Sequence, residues 1–263
     1  MSYIQSNKAA WEEAFERRKH GWGDNNHVLL KQEELYFFNL DMKELLQSMD
    51  FAGKTIAQFC CNNGRELLSL VQYGASHGVG FDIAENIIEQ ARETAEKAGI
   101  LNCNFEICSV LDIPAKYYRQ FDFIFFTIGG IAWIDDLGTL FRQVSLCMKP
   151  GAVLLINDQH PFLSMLPVPG EEEFEPETLN RIAFSYFRHE PWVSTDGMQY
   201  MSGDYISKPF TSFTHTFSKI INAIVENDMQ IISLSEYDYD VGITDVYDGL
   251  GIPLSYILQA KKS

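Results

Sequence analysis

One stretch constrains this chain more than any other: Thr55 to Asp82, TIAQFCCNNGRELLSLVQYGASHGVGFD. Its apolar run Ile56-Ala57-Gln58-Phe59-Cys60 reads as a buried parallel strand, and Cys61-Asn62-Asn63-Gly64 as a tight polar turn. Arg65 to Tyr73 follows as a helix, with Leu67, Leu68, Leu70 and Val71 spaced to make one apolar face. Gly74 stops that helix, and a second strand, His77 to Phe81, ends on Asp82. Strand, turn, helix, strand, acid is a βαβ unit, whose ligand-facing groups lie at the carboxyl ends of its strands. A carboxylate about 20 residues beyond a tight turn suits the hydroxyls of a ribose. The unit therefore points to a nucleoside-bearing cofactor.

The alternation continues. Ala84 to Ala98 reads as a helix, Asn104 to Cys108 and Phe121 to Phe126 as strands, Leu137 to Met148 as a helix closed by Lys149-Pro150-Gly151, and Ala152 to Ile156 as a fifth strand. Five strands joined by helical crossovers predict an α/β fold, a mostly parallel sheet in a three-layer αβα sandwich. A helix over Phe217 to Asn227 and two closing strands, Met229 to Tyr239 and Pro253 to Ala260, complete it. Between them, residues 158–216 break the rhythm with prolines, an acidic run from Glu171 to Glu177, and the aromatic pieces Ile182 to Phe187, Gln199 to Ile206 and Pro209 to Thr216. These pieces read as inserted antiparallel hairpins that cap a substrate, and the acidic run as a solvated loop. Residues 1–53 read as helical, with Ala9, Ala10, Trp11, Ala14 and Phe15 on one face, a loop at Gly21 to His27, and an amphipathic helix from Leu35 to Met49. That segment is either a lid over the cofactor or packing on the sheet edge. The whole of 1–263 is expected to form a single domain.

Charge narrows the partners. Thirty-six acids against 20 bases leave a net charge of -16, a field that repels nucleic acids and anionic membranes. The densest basic run, Arg17-Arg18-Lys19, is short. No apolar run of about 18 residues and no leader pattern is visible, so neither a membrane nor a nucleic acid is an expected partner and the expected location is cytoplasmic. The five cysteines, two of them adjacent at Cys60-Cys61, show no metal-ligand spacing, so no metal is expected. Cys60-x-Asn62-x-x-Arg65 lacks the glycines that let a pyrophosphate reach a helix N-terminus, which argues against a nicotinamide dinucleotide. Oligomeric state stays open between monomer and homodimer.

At these residues the sequence resembles the class I S-adenosylmethionine-dependent methyltransferases, closely over Thr55 to about Pro161 and more loosely from Thr216 to the end. Ala57-Gln58-Phe59-Cys60-Cys61-Asn62-Asn63-Gly64 matches the family's LDLGCGxG loop, with Gln58 in place of the acid and Cys60 and Asn62 in place of two glycines. Gly78-Val79-Gly80-Phe81-Asp82-Ile83 resembles the second strand, and Ser109-Val110-Leu111-Asp112-Ile113-Pro114 the segment that holds adenine. Gly129-Gly130-Ile131-Ala132-Trp133 and Gln159-His160-Pro161 are similar to a group of bacterial small-molecule methyltransferases.

The resemblance implies strand order 3-2-1-4-5-7-6 with strand seven antiparallel, S-adenosylmethionine as cofactor and S-adenosylhomocysteine as product. It implies a cofactor site drawn from Gln58, Phe59, Cys60, Asn62, Gly64, Asp82, Ile83, Val110, Leu111, Asp112, Thr127 and Ile128. Asp82 would accept from the ribose hydroxyls and Asp112 from the adenine amine; as plain structure, Asp82 caps a helix and Asp112 shapes a turn. Trp133 either covers the cofactor or anchors the next helix. The expected reaction is in-line methyl transfer to O, N or S of a small molecule, with a base needed only for a nucleophile whose proton has a high pKa. Asp158, His160 and His215 are the catalytic candidates, His160 the best placed because it follows the fifth strand directly. Trp22, His27, Tyr186 and Tyr205 are the substrate-binding candidates, and Phe184, Phe187, Trp192 and Tyr200 further aromatics for a pocket wall. The alternative is a cofactor-binding regulator or scaffold without turnover, motivated by the altered loop.

Overall fold

A computed structural model describes residues 2–179 and 181–263. At its centre, β1 (Thr55–Phe59) pairs in parallel with β2 (His77–Asp82) on one side and β4 (Phe121–Phe126) on the other. β3 (Cys103–Ile107) extends the sheet beyond β2, and β5 (Met148–Gln159) extends it beyond β4, both in parallel. β9 (Ser255–Lys262) joins β5 antiparallel, and β8 (Met229–Tyr237) closes the edge antiparallel to β9. The order is β3-β2-β1-β4-β5-β9-β8, the seven-stranded arrangement that the resemblance implies.

Both faces of the sheet are covered, as a parallel sheet requires. Alternation along the strands sorts the side chains: Phe59, Ile124 and Phe126 pack with α6 (Leu137–Cys147) and α7 (Phe217–Val225). Ile56, Phe123 and Phe125 face the opposite layer with α4 (Arg65–Tyr73) and α5 (Glu85–Ala98). Side-chain caps start several helices: Asp136 accepts from the Thr139 amide at α6, and Thr216 from the Lys219 amide at α7.

The N-terminal residues divide between two jobs. α1 (Tyr3–Glu16) lies at the carboxyl end of the sheet, where the Glu12 carbonyl accepts from Asn86 Nδ2 at 2.9 Å. Between them, α2 (Asn26–Leu29) is a single turn. α3 (Leu40–Gln47) buries Met42 and Leu46 in the layer of α4 and α5. It is shorter than the helix expected over Leu35 to Met49 because the Asn39 side chain caps it, accepting from the Met42 amide at 2.9 Å; Leu35 has φ 54° and lies outside it.

The insertion differs from the expected set of hairpins. Among the described residues of the insertion only β6 (Trp192–Ser194) and β7 (Phe210–Ser212) pair, antiparallel, and the pieces 182–187 and 199–206 are turns and irregular chain. Their apolar residues answer to packing rather than to a pleat: Met201 and Phe210 are buried against Ala10, Ala14 and Phe15 of α1. The backbone of this insertion is zipped to α1. Asn7 Nδ2 donates to the Thr211 carbonyl at 2.8 Å while Asn7 Oδ1 accepts from the Thr211 amide at 2.7 Å. The Lys208 amide donates to Glu13 Oε2 at 2.7 Å, and the Lys19 amide to the Met201 carbonyl at 2.8 Å. α1 and the insertion thus form one cap. No helix of the described residues is long and apolar enough to cross a membrane.

Candidate active site

The turn after β1 carries three left-handed residues in alternation: Cys60 at φ 55°, Asn62 at φ 49° and Gly64 at φ 69°. These are the positions at which the resemblance expects glycines. The backbone path is kept with a cysteine and an asparagine in two of them, and asparagine tolerates this region best after glycine. At Gly64 glycine is required twice over, because a Cβ would lie 2.3 Å from the Phe105 ring. Asn62 also braces the turn with its own side chain, Oδ1 accepting from the Asn63 amide at 2.7 Å. Asn63 Nδ2 reaches Gln90 Oε1 on α5 at 3.2 Å, and Gln90 Nε2 donates to the Trp22 carbonyl at 3.0 Å.

Gln58 is buried beneath this turn. Its Nε2 donates to Thr127 Oγ1 at the end of β4 at 2.8 Å, while its Oε1 is buried without a partner among the described residues. An unpaired buried acceptor costs about 1–3 kcal/mol, so this atom suits a ligand donor. The Cys60 thiol is pushed up by burial, then by the charges of Asp82 and Asp158, and stays protonated. It is a packing group here, not a nucleophile.

Asp82 stands across the turn at the end of β2. Oδ2 accepts from the Asn62 amide at 2.8 Å and Oδ1 from the Ala84 amide at 3.1 Å. Burial raises its pKa, and the hydrogen bonds from Ala84 and Asn62 oppose that rise. The bond to Ala84 closes a turn just before α5, and Ala84, the N-cap residue, takes no side-chain cap bond, so Asp82 is not the helix cap that its place in the sequence allows as plain structure. On the next strand end, Val110 is buried, Leu111 half-buried and the Asp112 side chain exposed. Ile83 is half-buried, Phe59 is fully buried in the core, and Ile128 is exposed at the rim.

The cap puts aromatic rings over this cleft. Trp11 of α1 meets Trp133 edge-on at 5.3 Å, Phe210 at 5.4 Å and Tyr200 at 6.4 Å between ring centres. Tyr200 also lies 6.1 Å from Trp22, and its phenol accepts from Asn62 Nδ2 at 3.2 Å. Trp133 thereby anchors α1 and the insertion. Trp11 was legible only as one face of a helix; nothing in its spacing marks it as part of a wall.

A cavity of about 450 Å³ opens beside β5 and under the insertion, lined by Asp158, His160 and His215 among its polar groups and by Leu163, Phe184 and Trp192 among its apolar ones. All three catalytic candidates therefore line one cavity, though their free atoms differ. His160 Nε2 pairs with Glu236 Oε1 at 2.8 Å and Nδ1 accepts from the Phe162 amide at 2.9 Å, so both ring nitrogens are engaged. His215 Nε2 donates to the Ile134 carbonyl at 2.8 Å. Burial lowers the pKa of both histidines. Asp158 lies within β5 rather than in the insertion. Its Oδ1 takes the amides of Gly129 at 2.6 Å and Gln159 at 2.8 Å. Burial raises its pKa to about 6.

The four substrate-binding candidates scatter. Trp22 belongs to the cap over the cofactor turn. His27 sits on α2 with Nδ1 against the Asp24 carbonyl, outside the lining of the cavity. The Tyr186 hydroxyl accepts from the Phe217 amide and so caps α7, and Tyr205 lies under the Arg17 guanidinium at 4.9 Å; both are likewise outside the lining.

The family described as "Methyltransferase domain" matches residues 51–184, half of the chain. This chain belongs to that family. Over 70% of its length the methyltransferase is 22% identical to an uncharacterized protein of Haemophilus influenzae, which is covered to 70%. It is 27% identical over 43% of its length to the ribosomal protein L11 methyltransferase of Pseudomonas aeruginosa, of which it spans only about a third, 36%. Geranyl diphosphate C-methyltransferase from Streptomyces coelicolor, solved with S-adenosyl-L-homocysteine, superposes with a TM-score of 0.65, covering 100% of this chain and 99% of that one at 13% identity. At such identity the likeness is one of fold.

Proposed function

We propose that this chain transfers a methyl group from S-adenosylmethionine to a small-molecule acceptor seated in the cavity beside β5. The observation that carries the cofactor reading is the left-handed alternation Cys60, Asn62, Gly64 facing the Asp82 carboxylate, with Gln58 Oε1 unpaired below. These residues fit an adenosyl sulfonium: Asp82 would accept from the ribose hydroxyls, Asp112 from the adenine amine beside Leu111, and Gln58 Oε1 from the amino-acid end. When bound, that cofactor supplies an electrophilic methyl group on sulfur.

The chain's own residues align the acceptor and exclude water. Asp158 holds the Thr127 to Gly130 turn after β4 through the Gly129 amide. The aromatic cap of Trp11, Trp22 and Tyr200 stands over the turn after β1, and holding acceptor and cofactor in line contributes to the rate. With His160 bonded through both nitrogens, its role here is to orient the wall after β5. The net charge of -16 favours a small acceptor over nucleic acid, and a cytoplasmic setting suits five reduced thiols.

Transfer of a labelled methyl group from S-adenosylmethionine across a panel of small acceptors tests this. Labelled product that disappears in Asp82→Ala supports it. Cofactor bound with no product from any acceptor would favour the scaffold reading instead.

A further inference from the structure

The acceptor cavity carries one sign of charge. Asp158, Glu171 and Asp196 line it, and among the described residues no lysine or arginine does. Burial lowers the pKa of its two histidines, His160 and His215, and so disfavours their charged forms. Two bases in neighbouring segments are engaged elsewhere. Arg188 stacks on Trp192 at 3.8 Å and donates to the Glu190 carbonyl, and Lys219 lines the neighbouring cleft.

Asp158 is the group that lacks a counterpart. Its side chain belongs to a residue only 5% exposed. Its Oδ1 accepts from the Gly129 and Gln159 amides and the Ile131 amide also bonds the carboxylate, so the partners among the described residues are neutral backbone groups and none is a cation. The other charge acting on it is a second carboxylate, Asp240. A buried carboxylate without a cation is costly, and a well-placed ammonium offsets part of that cost. The same cavity has aromatic surface: Phe184 and Trp192 meet edge-on at 4.8 Å, and Trp192 is fixed by its Nε1 donating to Thr214 Oγ1 at 3.0 Å. Aromatic faces attract cations, and the apolar Leu163 and Leu166 complete a surface for a hydrocarbon body.

We infer that the acceptor is a small molecule bearing a protonated amine on an aromatic or apolar body, its ammonium held by Asp158. This rests on the reading of the chain as a methyltransferase with its acceptor in this cavity. Carboxylates and phosphates are excluded by the same charges that hold the amine.

Three probes of one shape test it on the intact protein: phenethylamine, phenethyl alcohol and phenylacetate. S-adenosylhomocysteine is titrated first by calorimetry, and the probes are then titrated at neutral pH with it present. Phenethylamine is expected to bind at least about tenfold tighter than phenylacetate, with the alcohol between them. Asp158→Asn is expected to remove most of the amine's advantage and leave the alcohol unchanged. Phenylacetate binding as tightly as the amine, no binding of the amine, or an amine preference untouched by Asp158→Asn would overturn the inference. The ratio is read on wild-type protein, so it holds whether or not the variant folds. If S-adenosylhomocysteine fails to bind, the methyltransferase reading falls, and the same probe ratio without it still tests the cavity.

Discussion

The backbone amide of Asn62 donates to Oδ2 of Asp82 at 2.8 Å, tying the turn after β1 to the end of β2. The other oxygen of that carboxylate holds the Ala84 amide at the start of α5. One side chain therefore ties the turn after β1 to the chain that enters α5.

Asp82→Ala removes both bonds and the ribose acceptor together. Hydrogen bonds to a charged group contribute about 1.5–3 kcal/mol, so affinity for S-adenosylhomocysteine is expected to fall by at least about tenfold. Calorimetry reads the affinity, and a denaturant melt reads the accompanying loss of stability. Unchanged affinity would remove Asp82 from the site.

Asn62 at φ 49° separates backbone from side chain. Asn62→Ala is expected to cost about 1–2 kcal/mol, because alanine resists the left-handed region and loses the Tyr200 and Asn63 bonds. Asn62→Gly restores the backbone alone and is expected to lie closer to wild type in urea denaturation. Equal losses in the two variants would mean that the side-chain bonds, not the turn conformation, govern the position.

The bond pair between Asn7 and the Thr211 backbone holds the cap as one unit. Asn7→Ala leaves a buried amide and carbonyl unpaired, at about 1–3 kcal/mol each. Hydrogen exchange is expected to speed up in α1 and around β7 while β1, β4 and β5 stay protected. Uniform loss of protection across the sheet would contradict a separable cap.

Asp158 gives a pH dependence with a defined sign. Its pKa is raised by burial from 3.8 to about 6, so the folded state binds more protons than the unfolded state between those values. Its contribution to stability is full below about pH 4 and is lost as pH rises through about 6, at most about 3 kcal/mol. Asp158→Asn removes this loss, so the difference in unfolding free energy between variant and wild type should shift in the variant's favour from pH 4 to pH 7. A constant difference would show that Asp158 is not buried as a lone carboxylate.

Much of the scaffold was legible because its elements carry strong local signals. Leu67, Leu68, Leu70 and Val71 gave α4 its face, Gly74 its stop, and the apolar run Phe121 to Phe126 has no reading but a strand buried on both sides. The cap was not legible. Tyr200 and Met201 sit in a piece whose aromatic spacing imitates a strand, yet the pattern is set by Trp11, Ala14 and Phe15, far away in sequence. Asn7 gave no signal at all, since its partners are backbone groups in the insertion. His160 was singled out by its place after β5, and only coordinates reveal that Glu236 and the Phe162 amide occupy its ring. The left-handed Cys60 was likewise invisible, because residue identity argued for glycine where geometry supplied the same turn.

Calorimetric titration of S-adenosylhomocysteine into the intact protein bears most directly on the cradle formed by Gln58 to Gly64 and Asp82. Saturable binding at one site per chain, with a dissociation constant of order micromolar and strongly weakened in Asp82→Ala, is the predicted result. Absence of heat with both S-adenosylhomocysteine and S-adenosylmethionine, from protein that melts cooperatively, would contradict it.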